Sequence, residues 1–257
     1  MILDEIVDNK LKELAQRKKE VSLAVLESKI ATLAPTKDFK KAISSSAKIN
    51  IIAEIKKSSP SAGLIREDFD PAKLATTYEN NGASAISVLI DKKFFSGHPK
   101  NLTKVRRISS LPILAKEFIL DEYQIYEARV LGADAILLIA RILDREDLRK
   151  YLDLASRLGL ACLVEIHEEE EWEKIEDLPV DIVGINNRNL ANFKVDLKLS
   201  FNLVKRIPSD KIVVSESGIN SRENIDRLRE AGVRTFLIGE TLLKSKDVGE
   251  KLRELLG

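Results

Sequence analysis

Acid and base side chains recur at the ends of short apolar runs in this chain. IIAEIKKSSPSAG carries Glu54 and Lys56, PILAKEF carries Lys116, and LVEIH carries Glu165. GINNRNL offers Asn186 and Arg188, and VVSESGI offers Glu216 followed by Ser217 and Gly218. Glu54 and Lys56 are two apart, so in an extended strand both face one side while Ile51, Ala53 and Ile55 face the other. Ammonium and carboxylate groups gathered in this way suit proton transfer. An ammonium stabilises and protonates an oxygen on which negative charge builds, and a carboxylate removes a proton elsewhere. Singly, each residue reads as an ordinary solvated charge. As a set at matching strand ends they read as a site, because clustering charge away from water seldom helps stability alone.

Such residues meet only if their strands run parallel and end at one mouth. NGASAISVL (81–89), LGADAILLI (131–139), LGLACLVEI (158–166) and AGVRTFLIG (231–239) each place a glycine before a compact apolar run. The glycine suits a left-handed helix C-cap, and the run suits a strand buried on both faces. This repeated unit predicts eight strands, near 50–56, 84–89, 112–116, 134–139, 161–166, 181–186, 211–216 and 235–239. Amphipathic stretches lie between them, among them Pro71–Asn81, Asp144–Arg157, Lys198–Arg206 and Ser221–Glu230. Asp70 before Pro71, and Ser221 with Asn224 nearby, read as helix starts. Eight alternating units in 257 residues predict an α/β fold, a single (β/α)8 TIM barrel over 1–257. A doubly wound sheet is the alternative, but no G-x-G-x-x-G follows any strand.

Residues 1–48 form an extension ahead of the first strand. Ile2, Ile6, Leu11 and Leu14 approximate helical spacing, with Lys10, Lys12 and Arg17 on other faces, and a second helix is expected over Ser22–Leu33. A cap over the barrel's end is the favoured reading, and a lid that contacts substrate the sharper one.

After the seventh and eighth strands come SESGI and LIGETL, where Gly218 and Gly239 stand in turns that lead into helical starts. Backbone N–H groups there can ring a phosphate, and this is where the barrel fold holds one. Glu240 is an awkward neighbour for an anion; its side chain is expected to turn outward, leaving its N–H for the ligand.

Lys plus Arg total 42 against 41 for Asp plus Glu. That balance offers no global attraction for nucleic acid or an anionic membrane, so a small phosphorylated metabolite is the expected partner. The single Cys162 forms no internal disulfide, and with only His98 and His167 no metal-type spacing exists. Neither a metal nor a cofactor is expected. Acidic residues near the N-terminus do not suit a signal peptide, and the longest uninterrupted apolar stretch, Ala135 to Ala140, is too short to span a bilayer. A cytoplasmic protein is expected, and a monomer, since no exposed apolar stripe is evident. Abundant Lys and Glu beside single Cys and Met residues suggest thermostability.

In order and spacing, IIAEIKKSSPSAG, PILAKEFILD, LVEIH, GINNRNL, SESGI and LIGETLL resemble the indole-3-glycerol phosphate synthase family over nearly the whole chain. The resemblance implies that Lys116 is the main general acid, and that Glu165 and Glu54 are catalytic carboxylates with Lys56 beside them. It implies that Asn186, Arg188, Glu216 and Ser217 orient the substrate or support the charge network. Ser59, Gly218, Gly239 and Glu240 match the phosphate surroundings, while Phe95, Phe118, Leu137 and Leu190 match the walls around the anthranilate ring. Two departures are Ile90, where relatives usually carry Thr, and Glu117, where Asp is commoner.

The implied substrate is 1-(o-carboxyphenylamino)-1-deoxyribulose 5-phosphate, closed to an indole with loss of carbon dioxide and then water. The final dehydration is open between Glu54 and Glu165 as base and between Lys56 and Lys116 as acid. Rival readings are another phosphosugar barrel, such as phosphoribosylanthranilate isomerase or the tryptophan synthase alpha subunit, and a phosphate-binding scaffold without turnover. Outside the site, His167 reads as a rim residue and His98 as loop punctuation. The acidic run 168–171 reads as a solvated helical turn, Trp172 as packed along one side of a surface helix, and Cys162 as inert and facing the helices.

Overall fold

The computed structural model describes residues 2–190 and 192–257. The apolar runs form β1 (Asn50–Ile55), β2 (Ala85–Leu89), β3 (Ile113–Lys116), β4 (Ala135–Ile139), β5 (Ala161–Ile166), β6 (Ile182–Asn186), β7 (Ile212–Glu216) and β8 (Thr235–Ile238). Every strand pairs in parallel with the next, and β8 pairs with β1 to close the barrel. Strand ends fall within a residue of those predicted. Gly82, Gly132, Gly159 and Gly232, which precede four of the strands, all have positive φ, as the left-handed turn demands.

Three helices precede the barrel: α1 (Ile2–Glu20), α2 (Leu23–Ile30) and α3 (Phe39–Ala42). Around it lie α4 (Pro71–Asn80), α5 (Pro99–Ile108), α6 (Glu122–Leu131), α7 (Arg145–Arg157), α8 (Glu169–Ile175), α9 (Lys198–Leu203), α10 (Arg222–Glu230), α11 (Glu240–Leu243) and α12 (Val248–Leu256). The Asp70 carboxylate accepts from the N–H groups of Ala72 and Lys73, and Ser221 accepts from that of Asn224, so both predicted caps form. Among the described residues no helix is long and apolar enough to cross a membrane.

Strand alternation sorts the apolar residues into two layers. Ile51, Ala53 and Ile55 pack outward against the helices, whereas Ile52 joins Ala85, Leu114, Leu163 and Val214 inside the barrel. Phe39 and Ile43 of the extension plug that interior where the strands begin, and the Thr235 hydroxyl donates to the Ile43 carbonyl at 2.8 Å.

The extension does more than cap one end. While α3 closes the bottom, α1 lies over the mouth. Lys10, expected off the apolar face of α1, is buried. Its ammonium is 2.8 Å from Asp91 beyond β2, 3.1 Å from Glu117 beyond β3 and 2.9 Å from Glu13. The ends of β2 and β3 supply the carboxylates that turn this face of α1 inward. Leu11, expected with the apolar positions, is 49 % exposed.

Candidate active site

The strand ends surround a cavity of about 820 Å³, within the range of small-molecule sites. Glu54, Lys56, Lys116, Glu165, Asn186, Arg188, Glu216 and Ser217 all line it. Alternation turns Glu54, Lys56, Lys116, Glu165, Asn186 and Glu216 inward, while Arg188 and Ser217 reach it from the turns beyond β6 and β7. Lys116 closes β3 and is the centre of the charge cluster. Its Nζ is 2.9 Å from Glu165 Oε2 and 2.5 Å from Glu216 Oε2. Glu165 and Glu216 are buried, and Lys116 is 13 % exposed. Across the mouth, Lys56 Nζ is 2.5 Å from Glu54 Oε1.

Burial alone would discharge these groups. For Lys116 it works against the ammonium, but Glu165, Glu216 and Glu54 outweigh it and hold the lysine charged. Burial likewise pushes Glu165 up, yet Lys116 and then His167 pull it well below the usual carboxylate range. Glu216 goes the other way, because burial and the charge on Glu165 exceed the pull of Lys116. The two carboxylates beside one cation are thus shifted in opposite directions.

Asn186, the last residue of β6, bridges strands. Its amide nitrogen donates to Glu165 Oε1 at 3.3 Å and its oxygen accepts from the Ser217 hydroxyl at 2.9 Å. Ser217 has a φ of 66°, unusual for a residue with a side chain, and sits in the turn that leads to Gly218. Asn187 braces that turn by donating to the carbonyl of Glu216 at 2.8 Å and that of Ser217 at 3.2 Å. Arg188 reaches Glu240 at 3.2 Å.

The Glu240 side chain does not turn outward as expected. It lines the cavity, where Arg188 on one side and Lys244, at 2.6 Å, on the other hold its carboxylate below the usual range, although burial opposes this. The two glycine turns do come together, joined by the Thr241 hydroxyl donating to the Ile219 carbonyl at 2.7 Å. Gly239 also answers a steric demand, since a Cβ there would collide with the Glu54 carboxylate, as one at Gly184 would with Glu216. Ser59 lies in a short hairpin, Ser58–Ser59 with Gly63–Leu64, and also lines the cavity.

The apolar wall is formed by Phe95, Phe118, Leu137 and Leu190, with the two phenyl centroids 6.0 Å apart. Ile2, Leu3 and Ile6 of α1 also line the cavity. Sequence reasoning missed these three as site residues, together with Lys244 and Asn187. Only Lys244, four residues after Glu240 on a helical turn, left a local signal.

Several residues outside the predicted site behave differently from expectation. His167 is not at the rim but buried, 3.3 Å from Glu165 and 3.5 Å from Glu171. Glu171 is buried too, turned inward by His167 and Arg141 rather than solvated with the rest of the acidic run. Trp172 is fully enclosed. The His98 ring caps α5 by accepting from the Lys100 N–H at 3.0 Å. Cys162 packs among the helix-facing core residues, and burial pushes its thiol up to about 12, consistent with an inert side chain.

The family model described as indole-3-glycerol phosphate synthase matches residues 3–255. A relative with that name in Acetivibrio thermocellus is 47 % identical over 256 residues, covering 99 % of this chain and 98 % of the relative. One from Legionella pneumophila is 46 % identical over 255 residues, with 99 % and 98 % covered. Among solved structures, a mutant tryptophan synthase alpha-subunit from the hyperthermophile Pyrococcus furiosus superposes with a TM-score of 0.62 at 18 % identity. That match covers 82 % of this chain and 99 % of the other, and carries the barrel fold alone.

Proposed function

The chain belongs to the indole-3-glycerol phosphate synthase family, and within that activity we propose that Lys116 is the general acid of ring closure. The enzyme is a carboxy-lyase of tryptophan biosynthesis. It closes the ring of 1-(o-carboxyphenylamino)-1-deoxyribulose 5-phosphate and then removes carbon dioxide and water.

In the first step the ring carbon bearing the carboxylate attacks the sugar ketone. A carbon–carbon bond forms and the carbonyl electron pair moves to oxygen, where Lys116 delivers a proton. Loss of carbon dioxide returns the electron pair to the ring. The observation that carries this assignment is the position of the Lys116 ammonium, facing the cavity between Glu165 and Glu216 and held charged by both.

Dehydration needs an acid at the departing hydroxyl and a base for the proton lost as the indole forms. We assign these to Lys56 and Glu54, which form an ion pair of their own. Asn186 and Ser217 hold Glu165 and the adjoining turn in place. Phe95, Phe118, Leu137 and Leu190 enclose the anthranilate ring. Ser59 and the turns at Gly218 and Gly239 grip the phosphate, with Arg188 and Lys244 offsetting Glu240.

Partner and compartment follow the same reading: one phosphorylated metabolite, bound by a cytoplasmic monomer. Its large exposed apolar side chains, such as Val25, Leu64 and Ile108, are scattered over separate elements. Supplying the purified protein with the carboxyphenylamino substrate and following indole fluorescence tests the assignment. Lys116→Ala is expected to lose on the order of a hundredfold or more in kcat. Turnover near wild type would refute the role of Lys116.

A further inference from the structure

Just beyond the end of β5 stands a second buried group that the reaction leaves unused. His167 follows Glu165 by two residues, so strand alternation turns both toward the same side. The His167 side chain is 2 % exposed, with Nε2 3.3 Å from Glu165 Oε1 and Nδ1 3.5 Å from Glu171 Oε2. The Glu171 carboxylate is fixed in turn, accepting from the His167 backbone N–H at 2.6 Å and from Arg141 Nε at 2.6 Å. Arg141 also reaches Glu168, 2.5 Å away and half exposed. From the cavity to the surface the signs alternate: Lys116, Glu165, His167, Glu171, Arg141, Glu168.

We propose that His167 is a positioning residue for the reaction, an imidazolium that keeps Glu165 ionised and its Oε2 turned toward Lys116. Glu165 has two oxygens with different duties. Oε2 faces the ammonium, and Oε1 is left to His167 and to the neutral Asn186 amide. Glu216 competes for the same ammonium, so Lys116 alone would be divided between two buried carboxylates. A second positive group behind Glu165 breaks that tie in favour of Glu165 as the ionised partner.

A neutral imidazole would serve poorly there, since one of its two nitrogens would turn a lone pair toward a carboxylate. Burial disfavours the charged ring, but Glu165 and Glu171 outweigh it and push His167 up to about 9. Arg141 neutralises Glu171 from the β4 side. The ring contacts are charge contacts at ion-pair distance, since neither His167 ring nitrogen has a hydrogen-bond partner among the described residues.

This inference rests on Glu165 acting in catalysis, and the two are separable by experiment. Kinetics of Glu165→Gln, His167→Gln and Glu171→Gln are measured across pH on the full-length enzyme. Loss of turnover in Glu165→Gln upholds the underlying reading; near-normal turnover there sinks that reading first. Given that loss, His167→Gln is expected to lower kcat on the order of tenfold with little change in KM. Its acid limb should move up by about one pH unit, because Glu165 then protonates more readily. Glu171→Gln should shift the limb the same way by less. A lower melting midpoint with an unmoved pH profile would make His167 merely structural and overturn the proposal.

Should His167→Gln not fold, the native protein still decides. His98 and His167 are the only histidines, so in His98→Gln a single imidazole signal remains for NMR titration. Titration above pH 8 supports the proposal, and titration near the ordinary histidine value overturns it.

Discussion

The Lys116 ammonium stands 2.9 Å from Glu165 and 2.5 Å from Glu216, so one cation serves two buried carboxylates. Burial and the Glu165 charge push Glu216 up to about 8, although Lys116 pulls the other way. A carboxyl raised in the folded state stabilises fully below its unfolded value near 4.5 and loses that contribution as pH rises through about 8. His167, raised to about 9, acts in the same direction over its own window. The melting midpoint should therefore fall as pH rises from about 5 to about 9. In Glu216→Gln, which is neutral at every pH, thermal scans should show a shallower decline. An unchanged slope would mean that Glu216 is already ionised at neutral pH.

Lys10 ties α1 to Asp91 and Glu117, both buried. Lys10→Ala leaves those carboxylates without their cation, at a cost of about 3–5 kcal/mol by denaturant unfolding. KM should rise as well, because Leu3 and Ile6 on the same helix line the cavity. Unaltered KM in a folded Lys10→Ala protein would show that α1 is a cap and not a wall of the site.

Gly239→Ala should harm catalysis more than stability. The added methyl group meets the Glu54 carboxylate, whose partner is Lys56 at 2.5 Å. We expect a kcat loss on the order of tenfold or more with a small change in midpoint. Equal kcat would show that the pair tolerates displacement.

Different parts of the molecule differed in legibility. Period-two alternation in buried strands, with a left-handed glycine before four of them, made the barrel and its inward residues readable from Glu54 to Glu216. Groups whose orientation depends on distant partners were hidden. Lys10 looks solvent-facing until Asp91 and Glu117 arrive from two strand ends, and nothing in the local sequence around 10 announces them. Glu171 and His167 turn inward for the same reason, through Arg141 and Glu165. Glu240 misled because the anion expected beside it drew attention away from Arg188 and Lys244, the cations that hold it in the site.

Charge networks on the outside bear on temperature. Arg206 reaches both Glu169 and Glu173, and Arg145 pairs with Asp177. Ion-pair networks gain value as temperature rises. We expect a melting midpoint above the range of about 45–65 °C typical of mesophile domains. Calorimetry giving a value inside that range would remove this inference from composition.

Carbon dioxide release separates ring closure from dehydration, and so reports on Lys116 most directly. In a single turnover with excess enzyme, Lys116→Met should release carbon dioxide on the order of a hundredfold or more slower than wild type. Lys56→Met should release it at close to the normal rate while indole fluorescence lags. Carbon dioxide appearing at the wild-type rate from Lys116→Met would contradict the claim that this ammonium protonates the closing ketone.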